Sequence, residues 1–319
     1  MGVPKTFVLC PDDVPPSGGI RKLYRLVDVL NANGFPAVIV HQAAGFRCRW
    51  FENKTPVVSF AEAKLAPSDL LVAAEILGKD LAEIGKGVRT IIVNQNAYYT
   101  FRHYSLDPND LQTPYTDRRV VMTLAVSDDN REYLTYAFPG LKVRRFRYGI
   151  DPALFRPGET KRRQICFMPR KHADEALQVF NFLKFRGRLG GWTIVALDGK
   201  SEAETAAILR QSLIFLSFGY PEGLPLPPLE AMACGCLLIG YHGMGGREYF
   251  TEESAFPVAT GDVVAFAKTV ERVMSLWDAE PGALAGKAQR AAEFVRSHYT
   301  PEIEAGDIVA AWREITGAG

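Results

Sequence analysis

The sequence predicts an α/β protein of two domains, each a parallel sheet with helices on its faces. Three observations predict it. The 319 residues are enough for two domains of ordinary size. Short apolar runs of strand length alternate with amphipathic helical stretches, as in successive strand–helix–strand units. Near the middle, a segment punctuated by proline and glycine, ending at Gly158, reads as a linker.

Composition bounds the function. Hydrophobic residues make up 47% and charged residues 23%, the balance of a globular domain. No apolar run approaches the ~20 residues that span a bilayer. The start of the chain lacks a signal-peptide pattern. The five cysteines are scattered and read as buried thiols in a reducing cytoplasm. The net charge of +1 divides unevenly: residues 1–150 hold 19 Lys+Arg against 15 Asp+Glu, a balance of +4, leaving −3 for the rest. That argues against general nucleic-acid binding.

The elements follow in order. Lys5–Cys10 is the first strand, and the loop Pro11–Gly19 leads into the helix Ile20–Asn33. That helix sets Leu23, Leu26, Val27 and Leu30 on one face and is stopped by Gly34. A strand, a loop ending in Gly18-Gly19 and a helix can cradle phosphate; a plain tight turn is the alternative. Ala37–His41 is a strand, and Gly45–Thr55 shows no clear period. Asp69–Ala73 and Val88–Val93 read as buried strands with a short helix near Lys79–Ile84 between them. Asn94-Gln95-Asn96 then lies at a strand's C-terminal end, the ligand side of an open α/β sheet. Tyr98, Tyr99, Phe101 and Tyr104 can stack on a sugar or simply fill the core. Val120–Val126 is a strand, and Ser127 caps a helix to Ala137.

In the second half, the strand Gln164–Met168 is followed by Pro169-Arg170-Lys171-His172 and the helix Asp174–Phe185. His172 reads as a solvated histidine, with a further contact beside Arg170 and Lys171 as the alternative. Trp192–Leu197 is a strand and Glu202–Arg210 a helix. Leu213–Ser217 is a buried strand, and Gly219, Pro221, Gly223 and Pro225 mark a loop after it. Pro227 and Pro228 suit a helix's first turn, Gly235 ends that helix, and Cys236–Gly240 is another strand. Glu222 in the loop and Glu230 in the helix both sit near a strand's C-terminal end, where a carboxylate can accept hydrogen bonds from a vicinal diol. Gly243-Met-Gly-Gly246 lacks the ribose-binding acid of a dinucleotide fingerprint. Amphipathic helices run from Gly261 to Trp277 and Gly282 to His298, followed by the segment Pro301–Thr316.

The run E-G-L-P-L-P-P-L-E-A-M-A-C-G-C from Glu222 to Cys236 resembles the E-x7-E signature of retaining GT-B glycosyltransferases, of the family 4 (glycosyl transferases group 1) type. Gly149, Asp151, Phe155 and Pro157 match that family's interdomain junction, with Tyr148 where an Asn is usual. The resemblance implies two Rossmann-like domains facing across a cleft. These are an acceptor-side domain at 1–150, a nucleotide-sugar domain at 151–298, and a last helix at 299–319 that crosses back to the first. It implies transfer of a sugar from a nucleotide-sugar to a sugar, glycan or lipid-linked acceptor, with retention at the anomeric carbon.

Residue by residue, the resemblance implies that Glu222, Arg170 and Lys171 serve the chemistry, the last two on the donor diphosphate. It implies a donor site of Glu230, Gly223, Leu224, Gly18, Gly19, Gly245 and Gly246. Many relatives carry a His where this chain has Asn94, so Asn94, Asn96 and His103 are the acceptor-side candidates. No zinc spacing occurs, and Asp12-Asp13 and Asp128-Asp129 read as loop and cap residues, so chemistry without a metal is expected. No cofactor is expected, because the nucleotide-sugar is itself a substrate. The positive first half leaves room for an anionic or membrane-associated acceptor, which would place the protein in the cytoplasm at the inner face of a membrane. Two other functions stay open: a nucleotide-sugar epimerase, marked by epimerised sugar without acceptor, and a scaffold, marked by donor binding without turnover.

Overall fold

The computed structural model describes residues 3–12, 16–84, 87–158 and 160–317. Asp13 therefore lies outside the described residues. The chain divides into two units: residues 1–148 together with 302–319, and residues 149–301.

The first unit is a seven-stranded sheet. Its strands are β1 (Thr6–Leu9), β2 (Ala37–His41), β3 (Val57–Ser59), β4 (Leu70–Ala74), β5 (Arg89–Asn94), β6 (Val120–Ala125) and β7 (Val143–Arg145), in the order β3-β2-β1-β4-β5-β6-β7. Every pairing is parallel. β1, β2 and β4 are buried along their whole length, because helices cover both faces of a parallel sheet. Helix α1 (Gly18–Ala32) buries Ile20, Leu23, Leu26, Val27 and Leu30, the face the apolar period predicts. It begins earlier than expected: Gly18 and Gly19 form its first turn instead of a separate loop. Helix α2 (Asp128–Ala137) is capped by Ser127, whose hydroxyl accepts from the Asn130 N–H at 3.1 Å.

Three sequence expectations change in this unit. β3 follows the aperiodic stretch and was not foreseen. The helix expected near Lys79–Ile84 is a 3-10 segment, Glu75–Ala82, broken at Gly78 by a positive φ of 49°. Asp12 and His41 do more than end a loop and a strand. His41 is fully buried, with Nε2 2.8 Å from the Tyr24 hydroxyl and Nδ1 2.9 Å from Asp12 Oδ1. Asp12 also accepts from the Gln42 and Ala43 N–H groups, at 3.0 and 2.8 Å.

Residues 302–316 of the last helix of the chain, Pro301–Thr316, pack inside this first unit. Trp312 is fully buried and its indole N–H donates to Thr6 Oγ1 at 3.0 Å. Lys22 and Glu304, both buried, pair at 2.8 Å, and burial pulls the Lys22 ammonium below its usual range. Arg147 grips Asp307 with two bonds of 2.9 Å. Removing one partner of a buried pair leaves an uncompensated charge, which costs about 3–5 kcal/mol.

The second unit is a five-stranded sheet of β8 (Arg162–Phe167), β9 (Thr193–Ala196), β10 (Ser212–Ser217), β11 (Leu237–Gly240) and β12 (Phe256–Pro257), in the order β12-β11-β10-β8-β9 and again parallel throughout. Its helices are α3 (Ala173–Phe185), α4 (Glu202–Gln211), α5 (Leu226–Ala233), α6 (Val263–Ala279) and α7 (Ala285–His298), so the last helix of the chain is α8. β12 has two residues and was not foreseen. Phe218 stacks on Phe266, with ring centroids 4.5 Å apart, inside a core shared by β8, β10, β11, α3 and α6. All five cysteines are buried. Among the described residues, no helix is long and apolar enough to cross a membrane.

Candidate active site

In the second unit the strand order reverses between β8 and β10, since β8 leads to β9 on one side while β10 lies on the other. Open α/β sheets bind ligands outside the strand ends at such a reversal. The chain leaves β8 through Arg170, Lys171 and His172. His172 takes a left-handed conformation, φ 53° and ψ 46°, as it turns the chain into α3. Histidine is one of the few non-glycine residues enriched there.

The chain leaves β10 through Phe218 to Pro225, with a cis Tyr220–Pro221 peptide. Glu222 is held by its backbone. Its N–H donates to the Gly243 carbonyl at 2.7 Å, and its carbonyl accepts from the Gly245 N–H at 3.1 Å. Gly243 has φ +68°, and a Cβ there would lie 2.9 Å from both the Gly219 carbonyl oxygen and Pro225 Cγ. Only glycine satisfies both conditions. The glycine-rich loop after β11 thus braces the loop after β10.

Lys171 and Glu222 meet as an ion pair, their side chains 41% and 21% exposed. A pair so open to water contributes about 0–1 kcal/mol to stability. Its importance is positional, because it joins a cation after β8 to an acid after β10. Arg170 lies beside Met168, with Nη2 3.9 Å from its sulfur. Glu230 is in α5 and 6% exposed, a buried carboxylate on the helix that follows the Glu222 loop. Gly223 and Leu224 are buried in that loop. Gly245 and Gly246 open a 3-10 turn, and a Cβ on Gly246 would come 3.1 Å from the Tyr249 hydroxyl. That hydroxyl donates to the Pro225 carbonyl at 2.7 Å. The structure therefore gathers Lys171, Glu222, Gly223, Leu224, Gly245 and Gly246 past the C-terminal ends of β8, β10 and β11.

The remaining candidates belong to the first unit. Gly19 packs against Gln95 after β5: the Gln95 amide donates to the Gly19 carbonyl at 3.0 Å, and a Cβ on Gly19 would meet Gln95 Oε1 at 2.4 Å. Gly18 precedes it in α1. Asn94 is fully buried and its amide is engaged within the fold. Its Nδ2 donates to Thr100 Oγ1 at 3.0 Å and to the Tyr115 hydroxyl at 2.8 Å, and its Oδ1 accepts from Asn130 at 3.0 Å. The Asn96 side chain caps the turn at Tyr98 by accepting its N–H at 3.1 Å. His103 is exposed with φ 62°. In the aromatic cluster, Phe101 packs on Tyr104 and Tyr98 on Tyr133, each pair with centroids 5.3 Å apart, while Arg102 lies over Tyr99.

Sequence reasoning passed over Glu75, placed Gln95 only by its strand end, and gave His172 no contact within the fold. Glu75 follows β4, is buried, and accepts from the Gln95 and Asn96 N–H groups at 2.8 and 3.0 Å. Burial pushes its carboxyl up to about 7, against the pull of those two donors. Gln95 also donates to the Tyr148 hydroxyl at 3.0 Å. His172 is exposed, as a solvated histidine would be, and its Nε2 also lies 2.5 Å from the Tyr220 carbonyl oxygen. Nothing local in the sequence signals that last contact.

The paired parallel-sheet units match solved GT-B glycosyltransferase structures. Sucrose-phosphate synthase from Thermosynechococcus elongatus superposes with TM-score 0.73 at 14% identity, covering 99% of this chain and 100% of that one. Anabaena HepE (Alr3699), solved in complex with UDP and glucose, gives 0.70 at 13% identity, covering 97% and 99%. The fold is thus the GT-B fold. Residues 193–291 match the family model described as glycosyl transferases group 1. An alpha-1,6-glucosyltransferase of Actinobacillus pleuropneumoniae serotype 7 (strain AP76) is 25% identical over 259 residues, 78% of this chain and 72% of that protein. With the GT-B fold and these matches, the chain is a glycosyltransferase, similar over residues 193–291 to the group 1 glycosyl transferases. Glu222 and Glu230 fall inside the matched segment, while Arg170 and Lys171 precede it.

Proposed function

We propose that the protein transfers a sugar from a nucleoside-diphosphate sugar to a sugar, glycan or lipid-linked acceptor, with retention at the anomeric carbon. The observation that carries this reading is the meeting of Lys171 with Glu222 at the strand-order reversal of the second unit. Arg170 and Lys171 would meet the charge that builds on the departing diphosphate, the kind of fixed electrostatic stabilisation that lowers such barriers. Glu230 would accept hydrogen bonds from the ribose hydroxyls, and Glu222 from hydroxyls of the donor sugar. Gly223, Leu224, Gly245 and Gly246 would let backbone approach the donor closely. On the first unit, Gly18 and Gly19 would lie on the donor side, and Asn96 and His103 toward the acceptor, with Asn94 supporting them from the core.

The two basic side chains supply the neutralising charge, so the proposed chemistry calls for no metal ion and no cofactor. HepE, similar in fold, has been solved with UDP and glucose, which supports a donor of this class. A cytoplasmic enzyme working at the inner face of a membrane fits a lipid-linked acceptor. The test is a thermal-shift panel of nucleoside diphosphates and their sugars. A ligand at 100 times its dissociation constant adds ~2.7 kcal/mol of apparent stability. If no member of the panel raises the melting temperature, the reading falls.

A further inference from the structure

We propose that His172 is a positioning residue for this donor site, tying the turn that carries Arg170 and Lys171 to the loop that carries Glu222. The inference rests on the donor-site reading above.

Its Nε2 sits 2.5 Å from the Tyr220 carbonyl oxygen. A carbonyl only accepts, so Nε2 carries the hydrogen. Nδ1 faces Glu175 Oε1 at 3.5 Å. The other oxygen of Glu175 accepts from the Tyr241 hydroxyl at 2.5 Å. Tyr241 follows β11 and is fully buried, its ring against Phe218 and Phe266. The line Tyr241–Glu175–His172–Tyr220 therefore links the ends of β11, β8 and β10 through the first turn of α3.

Position makes this line functional. His172 is the neighbour of Lys171, and Tyr220 stands two residues before Glu222. Lys171 reaches Glu222 on a flexible four-carbon stem, and their pair is half-open to water. Such a pair does not hold two loops in register by itself. The bond from the exposed His172 ring to the Tyr220 carbonyl adds a second, direct tie between the same two loops, with Glu175 beside the ring's other nitrogen. The left-handed backbone at His172 points the same way, since a non-glycine residue held there is sustained by its surroundings. In this arrangement the histidine touches no donor atom. It sets the distance between the diphosphate-facing cations and the sugar-facing acid.

The test is calorimetry on the full chain with UDP, GDP and ADP, and with the nucleoside of whichever diphosphate binds. His172→Asn tolerates the left-handed backbone but is too short to reach the Tyr220 carbonyl. His172→Gln places an amide N–H near the position of Nε2. The expected result is a ~10-fold loss of diphosphate affinity for His172→Asn, with nucleoside affinity held within about 2-fold, and recovery of most of the loss in His172→Gln. Wild-type affinity in His172→Asn, an equal loss for nucleoside and diphosphate, or no recovery in His172→Gln would each overturn the role. Should His172→Asn not fold, His172→Gly, free of the left-handed penalty, takes its place with the same expectations. A wild-type protein that binds none of the three diphosphates is a separate outcome: it removes the donor site itself, and the role of His172 with it.

Discussion

For the proposed retaining transfer, two substitutions at Glu222, the acid in the β10–α5 loop, separate the mechanistic alternatives. A retaining transfer can pass through a covalent glycosyl–enzyme intermediate, which needs a carboxylate poised at the anomeric carbon. It can also proceed with the leaving diphosphate taking the acceptor's proton on the same face, the protein only orienting the sugar. Glu222 is pinned by two backbone hydrogen bonds to the Gly243–Gly245 loop and paired with Lys171, an arrangement that holds a hydrogen-bond acceptor in place. If it orients the sugar, Glu222→Gln exchanges a charged hydrogen bond for a neutral one. Charged bonds are worth about 1.5–3 kcal/mol and neutral ones about 0.5–1.5 kcal/mol, so kcat/KM should fall about 5- to 10-fold. Glu222→Ala removes the acceptor altogether and should cost about 10- to 100-fold. A nucleophile would show another pattern, Gln failing as badly as Ala. The assay is initial-rate kinetics with the donor found in the ligand panel, joined to intact-protein mass spectrometry with a slow fluorinated donor. Equal losses for the two variants, or a sugar trapped covalently on Glu222, would refute the orienting role.

Three further outcomes follow from the geometry. Glu230→Ala should weaken nucleoside-diphosphate binding by about 1–3 kcal/mol, and unchanged affinity in a folded variant would reject the ribose contact. Gly243→Ala puts a Cβ 2.9 Å from the Gly219 carbonyl at φ +68°, and should lower stability by about 1–3 kcal/mol together with donor affinity; thermal melts beside calorimetry would show it, and a neutral result would mean the brace is dispensable. Glu75, its carboxyl raised from 4.5 to about 7 by burial, keeps its proton in the folded state where the unfolded chain has lost it. Its contribution is therefore full below about pH 4.5 and is lost as pH rises through 7, by about 3 kcal/mol. Denaturant unfolding of wild type and Glu75→Gln at about pH 5 and about pH 8 should show the wild type losing more on the alkaline side; parallel losses would refute this.

What was legible in the sequence was local. The strand–loop–helix unit around Glu222 and Glu230 shows in one stretch because its prolines, glycines and apolar runs act over a few residues, and the structure keeps that unit as β10, a loop and α5. β3 and β12, of three and two residues, are too short for a period to declare them. Gly18 and Gly19 read as a turn because glycine is a poor helix former. They start α1, with Gly19 lying close against the end of the Gln95 side chain, a contact no local rule foresees. Asn94 read as a ligand-side residue from its place at a strand end. Whether its amide faced solvent or the core depended on Thr100, Tyr115 and Asn130, which no local rule links to it. Glu75 shows the same limit: a carboxylate is buried only where donors already await it, and here they are backbone N–H groups of the next strand's end.

The same limit explains why the spacing between the two glutamates was readable while the site's electrostatics were not. E-x7-E is a distance along one loop and one helix. The cation that answers Glu222 comes from another strand, and so does the histidine bonded to Tyr220. Their meeting follows from β8 and β10 being neighbours in the sheet although β9 lies between them in the chain. A parallel sheet brings such pairs together only through right-handed crossovers, in which the intervening helix carries the chain back over the sheet. Strand order therefore selects which basic turn faces which acidic loop. In this chain it selects the turn whose last residue, His172, turns back on the loop it serves.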